Sequence, residues 1–218
     1  RQNYEVEEIL SDFGKEGYEL VNVITEPILD DKYENNGEFL RTFFLKKERI
    51  WKKQIICYKN AMNVHNKRIV IFGGTSGIGL ATTSMLSEMN AKHIYSISRN
   101  PEKSLLSSSN IELVKMDVLD ESKLVSFFEK VGHYDILINA ATGGERAIGP
   151  FMKMNLEGYR NSFKKLWGYT NSVRYGLQNL SQNGCVVLVS GSPARKCKPG
   201  QIALASVGGA VEAFSKSI

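Results

Sequence analysis

Apolar positions follow different rhythms in the two parts of the chain. Between Tyr4 and Phe13, Val6, Ile9, Leu10 and Phe13 recur at helical spacing, and Gly14 and Gly17 close that helix. Tyr18 to Thr25 alternates and is rich in Val and Ile, which predicts a strand. Asn35-Asn36-Gly37 is a turn signal, and Phe39 to Lys46 predicts a second strand. These elements make a small α+β domain over residues 1–47. Residues 48–66 are a linker, basic and aromatic in places, read as a segment packed on the next domain in preference to a nucleic-acid patch.

From residue 67 onward the pattern alternates. Strand-like apolar runs occupy Arg68–Phe72, His93–Ser98, Ile111–Met116, Tyr134–Asn139 and Cys185–Ser190, with helical segments at 77–90, 120–131, 153–181 and 201–218. Several strand runs are almost continuously apolar, as parallel strands covered on both faces must be. Strand–helix alternation over 67–218 therefore predicts a doubly wound parallel sheet of α/β class, in three α/β/α layers with right-handed crossovers.

Composition narrows the class. Of 218 residues, 42% are hydrophobic and 23% charged, ordinary values for a globular protein. Three cysteines are too few for a disulfide scaffold. No run of about 18 apolar residues exists to cross a membrane, and no secretory signal is present, so a reducing cytoplasm is expected. The chain does not begin with Met and stops inside a predicted helix, so it is expected to be part of something longer. The net charge of +5 is a blend: residues 1–66 carry −2 and residues 67–218 carry +7. The second part tolerates anionic ligands, although solvated lysines account for most of the excess.

The chemistry-bearing signal sits at the start of that part. The strand Arg68–Phe72 runs into Gly73-Gly74-Thr75-Ser76-Gly77-Ile78-Gly79, and a helix opens at once with Leu80-Ala81. Strand, glycine loop and helix in that order form a dinucleotide-phosphate turn. Gly73 permits the tight turn, Gly77 the approach of a pyrophosphate and Gly79 the packing of helix on strand, while the helix N-terminus supplies unpaired N–H groups. Thr75, Ser76 and Ile78 complete the loop. The next strand ends Ser98-Arg99-Asn100, and a basic residue there suits a ribose 2′-phosphate, which selects NADP(H) over NAD(H). Asp117, followed by Val118, is placed to reach an adenine, or is a plain strand-end acid.

These residues resemble those of the short-chain dehydrogenase/reductase family. Its glycine motif matches Gly73, Gly77 and Gly79, and its Asn-Asn-Ala-Gly segment is similar to Ile138-Asn139-Ala140-Ala141, of which Asn139 and Ala140 fit fully. The resemblance covers 67–218 and implies a Rossmann sheet, a nicotinamide cofactor, a small-molecule substrate and homo-oligomers. It also implies that Asn139, Ala140 and Ala141 lie along the cofactor. The family's catalytic residues are a Tyr, a Lys four residues later, a Ser and an Asn. Aligned on Pro199 to Gly208, the Tyr position falls on Leu204 and the Lys position on Gly208. Counting back without gaps, the Ser position falls on Gly191 and the Asn position on Lys165, so all four side chains are replaced.

Leu204 has no proton to give and Gly208 has no side chain to shift a pKa. Lys165 is the candidate to handle a proton, with Tyr169 one helical turn further on, and Ser190 and Ser192 could orient a carbonyl. The segment Phe163–Gly168 resembles a divergent branch of the family without the Tyr–Lys pair. Two functions are consistent with these residues: an atypical NADP(H)-dependent oxidoreductase, or a non-catalytic NADP(H)-binding sensor or scaffold. The N-terminal part resembles a family of small bacterial domains through Gly14, Glu16, Gly17, Tyr18, Glu19, Leu20 and Val21 and then Phe43 to Lys47, which implies no activity. Cys57, Cys185 and Cys197 and the three histidines lack metal-ligand spacing, and neither a nucleic acid nor a membrane is expected as partner.

Overall fold

A computed structural model describes residues 18–27, 39–47, 64–142 and 145–218. The helix expected at Tyr4–Phe13, the Asn35-Asn36-Gly37 turn and linker residues 48–63 lie outside the described residues. Two compact units divide the chain, Arg1–Asn63 and Val64–Ile218. In the first, β1 (Tyr18–Pro27) and β2 (Phe39–Lys47) pair antiparallel, with Tyr18 opposite Lys47. A bulge at Val21 shifts the register between Leu20 and Asn22.

The second unit is a five-stranded parallel sheet. Its strands are β3 (Arg68–Phe72), β4 (His93–Ser98), β5 (Ile111–Lys115), β6 (Tyr134–Asn139) and β7 (Leu180–Leu188), in the order β5-β4-β3-β6-β7. This is the Rossmann order, and it reverses direction between β3 and β6. The helices are α1 (Gly77–Glu88), α2 (Glu121–Val131), α3 (Leu156–Ser162), α4 (Lys164–Gly176) and α5 (Ile202–Ser215).

Alternation along each strand divides the core. Val70, Phe72, Tyr95, Ile97 and Leu137 project into one cluster with Leu124, Phe127 and Phe128 of α2 and Val173 of α4. Ser96, between Tyr95 and Ile97, is buried on the opposite face, where Gly74 and Thr83 crowd around it. Asp120 caps α2 by accepting from the Lys123 amide.

Two predicted elements differ. The last strand starts at Leu180, five residues before the predicted Cys185. Leu180 pairs with Tyr134 and Cys185 with Ile136, so the intervening residues bulge out. Gly184 is needed here for contact: a Cβ on it would lie 2.8 Å from the Asp135 carbonyl oxygen. The long helix expected over 153–181 is broken into α3 and α4 at Phe163. Next to the break the Ser162 hydroxyl donates back to the Gly158 carbonyl and accepts from the Ala147 amide, which ties the end of α3 to the preceding loop.

Candidate functional site

The carboxyl ends of β4, β3 and β6 meet where the strand order reverses, which is where open α/β sheets bind ligands. Backbone bonds hold them together. The Gly73 amide donates to the Ile97 carbonyl (2.8 Å) and the Ala140 amide to the Phe72 carbonyl (2.8 Å). Gly73 has φ of +76°, and a Cβ on it would stand 2.7 Å from the Ala141 nitrogen, so the glycine loop and the Ala140–Ala141 turn touch backbone to backbone. Gly79 brings the first turn of α1 against the Gly73 carbonyl, with 2.7 Å between its missing Cβ and the Gly73 carbonyl carbon.

Gly77 differs from both. Its φ of +52° favours glycine, but a Cβ there would meet nothing within 4 Å. Open space therefore lies in front of the opening of α1. Ser76 is the N-cap yet makes no side-chain cap bond, and no acid occupies the first turn. The leading N–H groups and the positive helix end remain available to an anion. Exposed Ser76 and half-buried Thr75 and Ile78 border this space. The arrangement fits the pyrophosphate of a dinucleotide.

Arg99 follows β4 directly, is exposed, and forms no ion pair among the described residues. Beside it the Ser98 hydroxyl is buried without a hydrogen-bond partner. Both features fit a phosphorylated ribose at this edge. Asp117 accepts from the Leu119 amide (3.0 Å), which occupies one carboxylate oxygen. Val118 and Asn139 are structural in their side chains. Val118 lies in the core and packs into the gap left by Gly168, 2.6 Å from where a Cβ would be. Asn139 is fully buried, donates to the Ser172 hydroxyl (2.7 Å) and accepts from the Ala141 amide (3.1 Å). It shapes the Ala140–Ala141 turn and fastens β6 to α4.

Lys165 opens α4. Half-buried, it stands over the Tyr169 ring, with Nζ 5.3 Å from the ring centroid, and has no acidic partner among the described residues. Loss of hydration, with the Arg146 charge as a second cause, lowers its pKa to about 8. Tyr169 is wholly buried and donates to the Val189 carbonyl (2.9 Å), and burial pushes its phenol far above the ordinary tyrosine range. Tyr169 thus positions the chain entering Ser190. The Ser190 hydroxyl donates to the Gly208 carbonyl (3.2 Å), and Ser192 is exposed at the start of a 3-10 turn, Ser192–Ala194. Gly208 is buried against that turn: a Cβ on it would lie 2.8 Å from Ala194 Cβ. Leu204 is half-buried nearby on α5.

Other polar side chains of this region are engaged elsewhere. Tyr175 donates to Glu121 of α2. Arg195, first residue of a basic stretch, is paired with Glu212 at 3.1 Å. Cys197 is exposed beside it, and no group of three metal-ligating side chains occurs among the described residues. Sequence reasoning missed Arg146, whose nearness to Lys165 joins positions 19 apart and has no local signature. It also missed the bond from the Gly149 amide to the Gly200 carbonyl (2.9 Å), which joins the loop after β6 to the segment before α5.

Comparison with known proteins agrees with this geometry. The family model described as short chain dehydrogenase matches residues 67–218. The chain is 38% identical over 81 residues to the short-chain dehydrogenase/reductase prx4 of Penicillium rubens, covering 37% of this chain and 24% of that protein. It is 27% identical over 141 residues to the development-specific 25 kDa protein of Sarcophaga peregrina, covering 59% of this chain and 53% of that one. The chain therefore spans about a quarter and about half of these relatives. Among solved structures, a short chain dehydrogenase from Burkholderia cenocepacia in complex with NADP shares the fold, with TM-score 0.66 and 20% identity over 72% of this chain and 66% of that one.

Proposed function

The chain belongs to the short-chain dehydrogenase family, and on that premise we propose that it is an NADP(H)-dependent oxidoreductase acting between a carbonyl compound and its alcohol. The observation that carries this reading is the open space before Gly77, where uncapped N–H groups of α1 face the point at which the strand order reverses. Gly73, Thr75, Ser76, Gly77, Ile78 and Gly79 hold the pyrophosphate, Arg99 the 2′-phosphate and Asp117 the adenine. The Ala140–Ala141 turn, set by Asn139 and backed by Val118, lies along the nicotinamide half. NADPH, when bound, supplies the hydride.

The chain's own residues handle the rest. Lys165 is charged at neutral pH but releases its proton near pH 8, so it can protonate a carbonyl oxygen and regain the proton from water. Ser192, exposed and without a side-chain hydrogen bond among the described residues, orients the carbonyl, and Ser190 fixes the loop that carries it. The same reading takes the molecule as a cytoplasmic assembly of like chains. Support for the assembly is the apolar surface of Trp167 and Leu177 (63% and 45% exposed).

A second reading, an NADP(H)-binding sensor without turnover, is favoured by the closed packing at Gly208, where Ala194 of the facing turn leaves no room for a side chain. NADPH oxidation across a panel of aldehydes and ketones separates the two. Turnover that depends on Lys165 supports the enzyme. Tight NADPH binding with background oxidation throughout the panel favours the sensor.

A further inference from the structure

Beside the candidate catalytic lysine lies a cavity that the oxidoreductase reading does not use. It is an open groove with a volume of about 510 Å³ along residues 145–158, and most of the side chains that line it are exposed. That volume is within the usual range for a small-molecule site. Its lining is mixed: Arg146 and Lys153 supply charge, Ile148, Met154 and Pro150 supply apolar surface, and Glu145 is the one acid. The Gly149–Gly200 bond fixes this loop to the segment entering α5, so the cavity is held at the carboxyl edge of the sheet.

The charges of this region are unbalanced. Arg146, Lys153 and Lys165 form no ion pair among the described residues. Glu145 lies against α3, its Oε2 3.5 Å from where a Cβ on Gly158 would be. Arg146 both lines the cavity and acts electrostatically on half-buried Lys165. Unpaired cations that repel one another beside a partly apolar cavity are stabilised by an anion, and a guanidinium grips a carboxylate or phosphonate through two parallel bonds.

We propose that this cavity receives the anionic group of the substrate, so that the carbonyl compound is an organic acid whose acid group is held by Arg146 and Lys153 and whose carbonyl is directed toward Lys165. The proposal rests on the oxidoreductase reading for the carbonyl, but the anion site stands on the cavity itself.

The test uses matched probes: 4-oxo-4-phenylbutanoate, its phosphonate analogue and its methyl ester, each titrated by calorimetry into the protein with and without NADP⁺. The expected result is that the acids bind at least about tenfold more tightly than the ester, with the advantage shrinking at high salt. Arg146→Gln should remove most of the preference and Lys153→Gln part of it; both residues are exposed, so neither change threatens the fold. Equal binding of acid and ester, a preference that survives Arg146→Gln, or no binding of either acid overturns the proposal. NADPH titration of the same samples reports on the cofactor reading separately. Its failure, with the acid preference intact, would remove the oxidoreductase and leave the anion site.

Discussion

Replacing Lys165 by Met should make the protein more stable at neutral pH. A lysine whose proton leaves at about 8, where 10.5 is ordinary, costs the fold about 3 kcal/mol while it stays charged. Its place over the Tyr169 ring returns about 1 kcal/mol of that through a cation–π contact. Methionine keeps the apolar stem and removes the charge, for a net gain of about 2 kcal/mol, or a rise of about 4–8 °C in Tm for a unit of this size. The pH dependence is set by the direction of the shift. Below about pH 8 the wild-type lysine is protonated both folded and unfolded, so its penalty is complete. Between about 8 and 10.5 the unfolded chain holds a proton that the folded one has released, so wild-type stability rises relative to the variant. Near 10.5 the gap should close. Differential scanning calorimetry of both proteins from pH 6 to pH 10.5 measures the difference, in which all other titrations cancel. A variant no more stable at pH 7, or an advantage that does not shrink with pH, refutes the claim that this charge is buried at a cost. In the same variant NADPH turnover should fall by about a hundredfold or more, because the proton source is gone.

Three other substitutions probe the site. Gly79→Ala puts a methyl group against the Gly73 carbonyl and should lower Tm sharply even without cofactor, whereas Gly77→Ala should cost only about 1 kcal/mol and show its main effect in NADPH affinity. Melting curves and fluorescence titration distinguish the two; equal loss of stability would contradict the open space assigned to Gly77. Arg99→Ala should reduce the NADPH:NADH affinity ratio at least about tenfold and leave Tm unchanged, since its side chain is exposed. Asn139→Ala strands the Ala141 amide and takes a donor from the Ser172 hydroxyl, which keeps its bond to the Tyr169 carbonyl, and unfolding by denaturant should show a loss of about 1–3 kcal/mol without any ligand present.

Much of the sheet is legible in the sequence because buried parallel strands must be apolar throughout. Ile69, Val70, Ile71 and Phe72 leave no other assignment beside a glycine loop. The loop itself is legible because φ above zero and backbone-to-backbone contact leave a glycine signature. Where a glycine serves packing rather than turning, as at Gly184 and Gly168, the same letter passes unnoticed, since only the neighbour in space gives it meaning. Asn139 shows the same limit: its position along the chain marks the right strand end, but its burial and its bonds to α4 belong to tertiary structure. The break between α3 and α4 falls at Phe163 beside a serine tied to the loop at Ala147, a long-range contact that periodicity does not record. Arg146 is the strongest case, because a repulsion between two cations on separate elements leaves no pattern at all.

The contact between Gly208 and Ala194 bears on the order in which this sequence can change. With 2.8 Å between Ala194 and the place of a new Cβ, no residue larger than glycine enters position 208 by itself. The turn Ser192–Ala194 must first retreat or lose the Ala194 methyl, and that turn also carries Ser192 and leads into Arg195, which pairs with Glu212. A side chain at 208 is therefore reachable only after changes elsewhere whose own effects fall on the proposed site. The packing acts as a latch with a small key: Ala194→Gly removes the one methyl group in the way, so the order of the two changes matters more than their number.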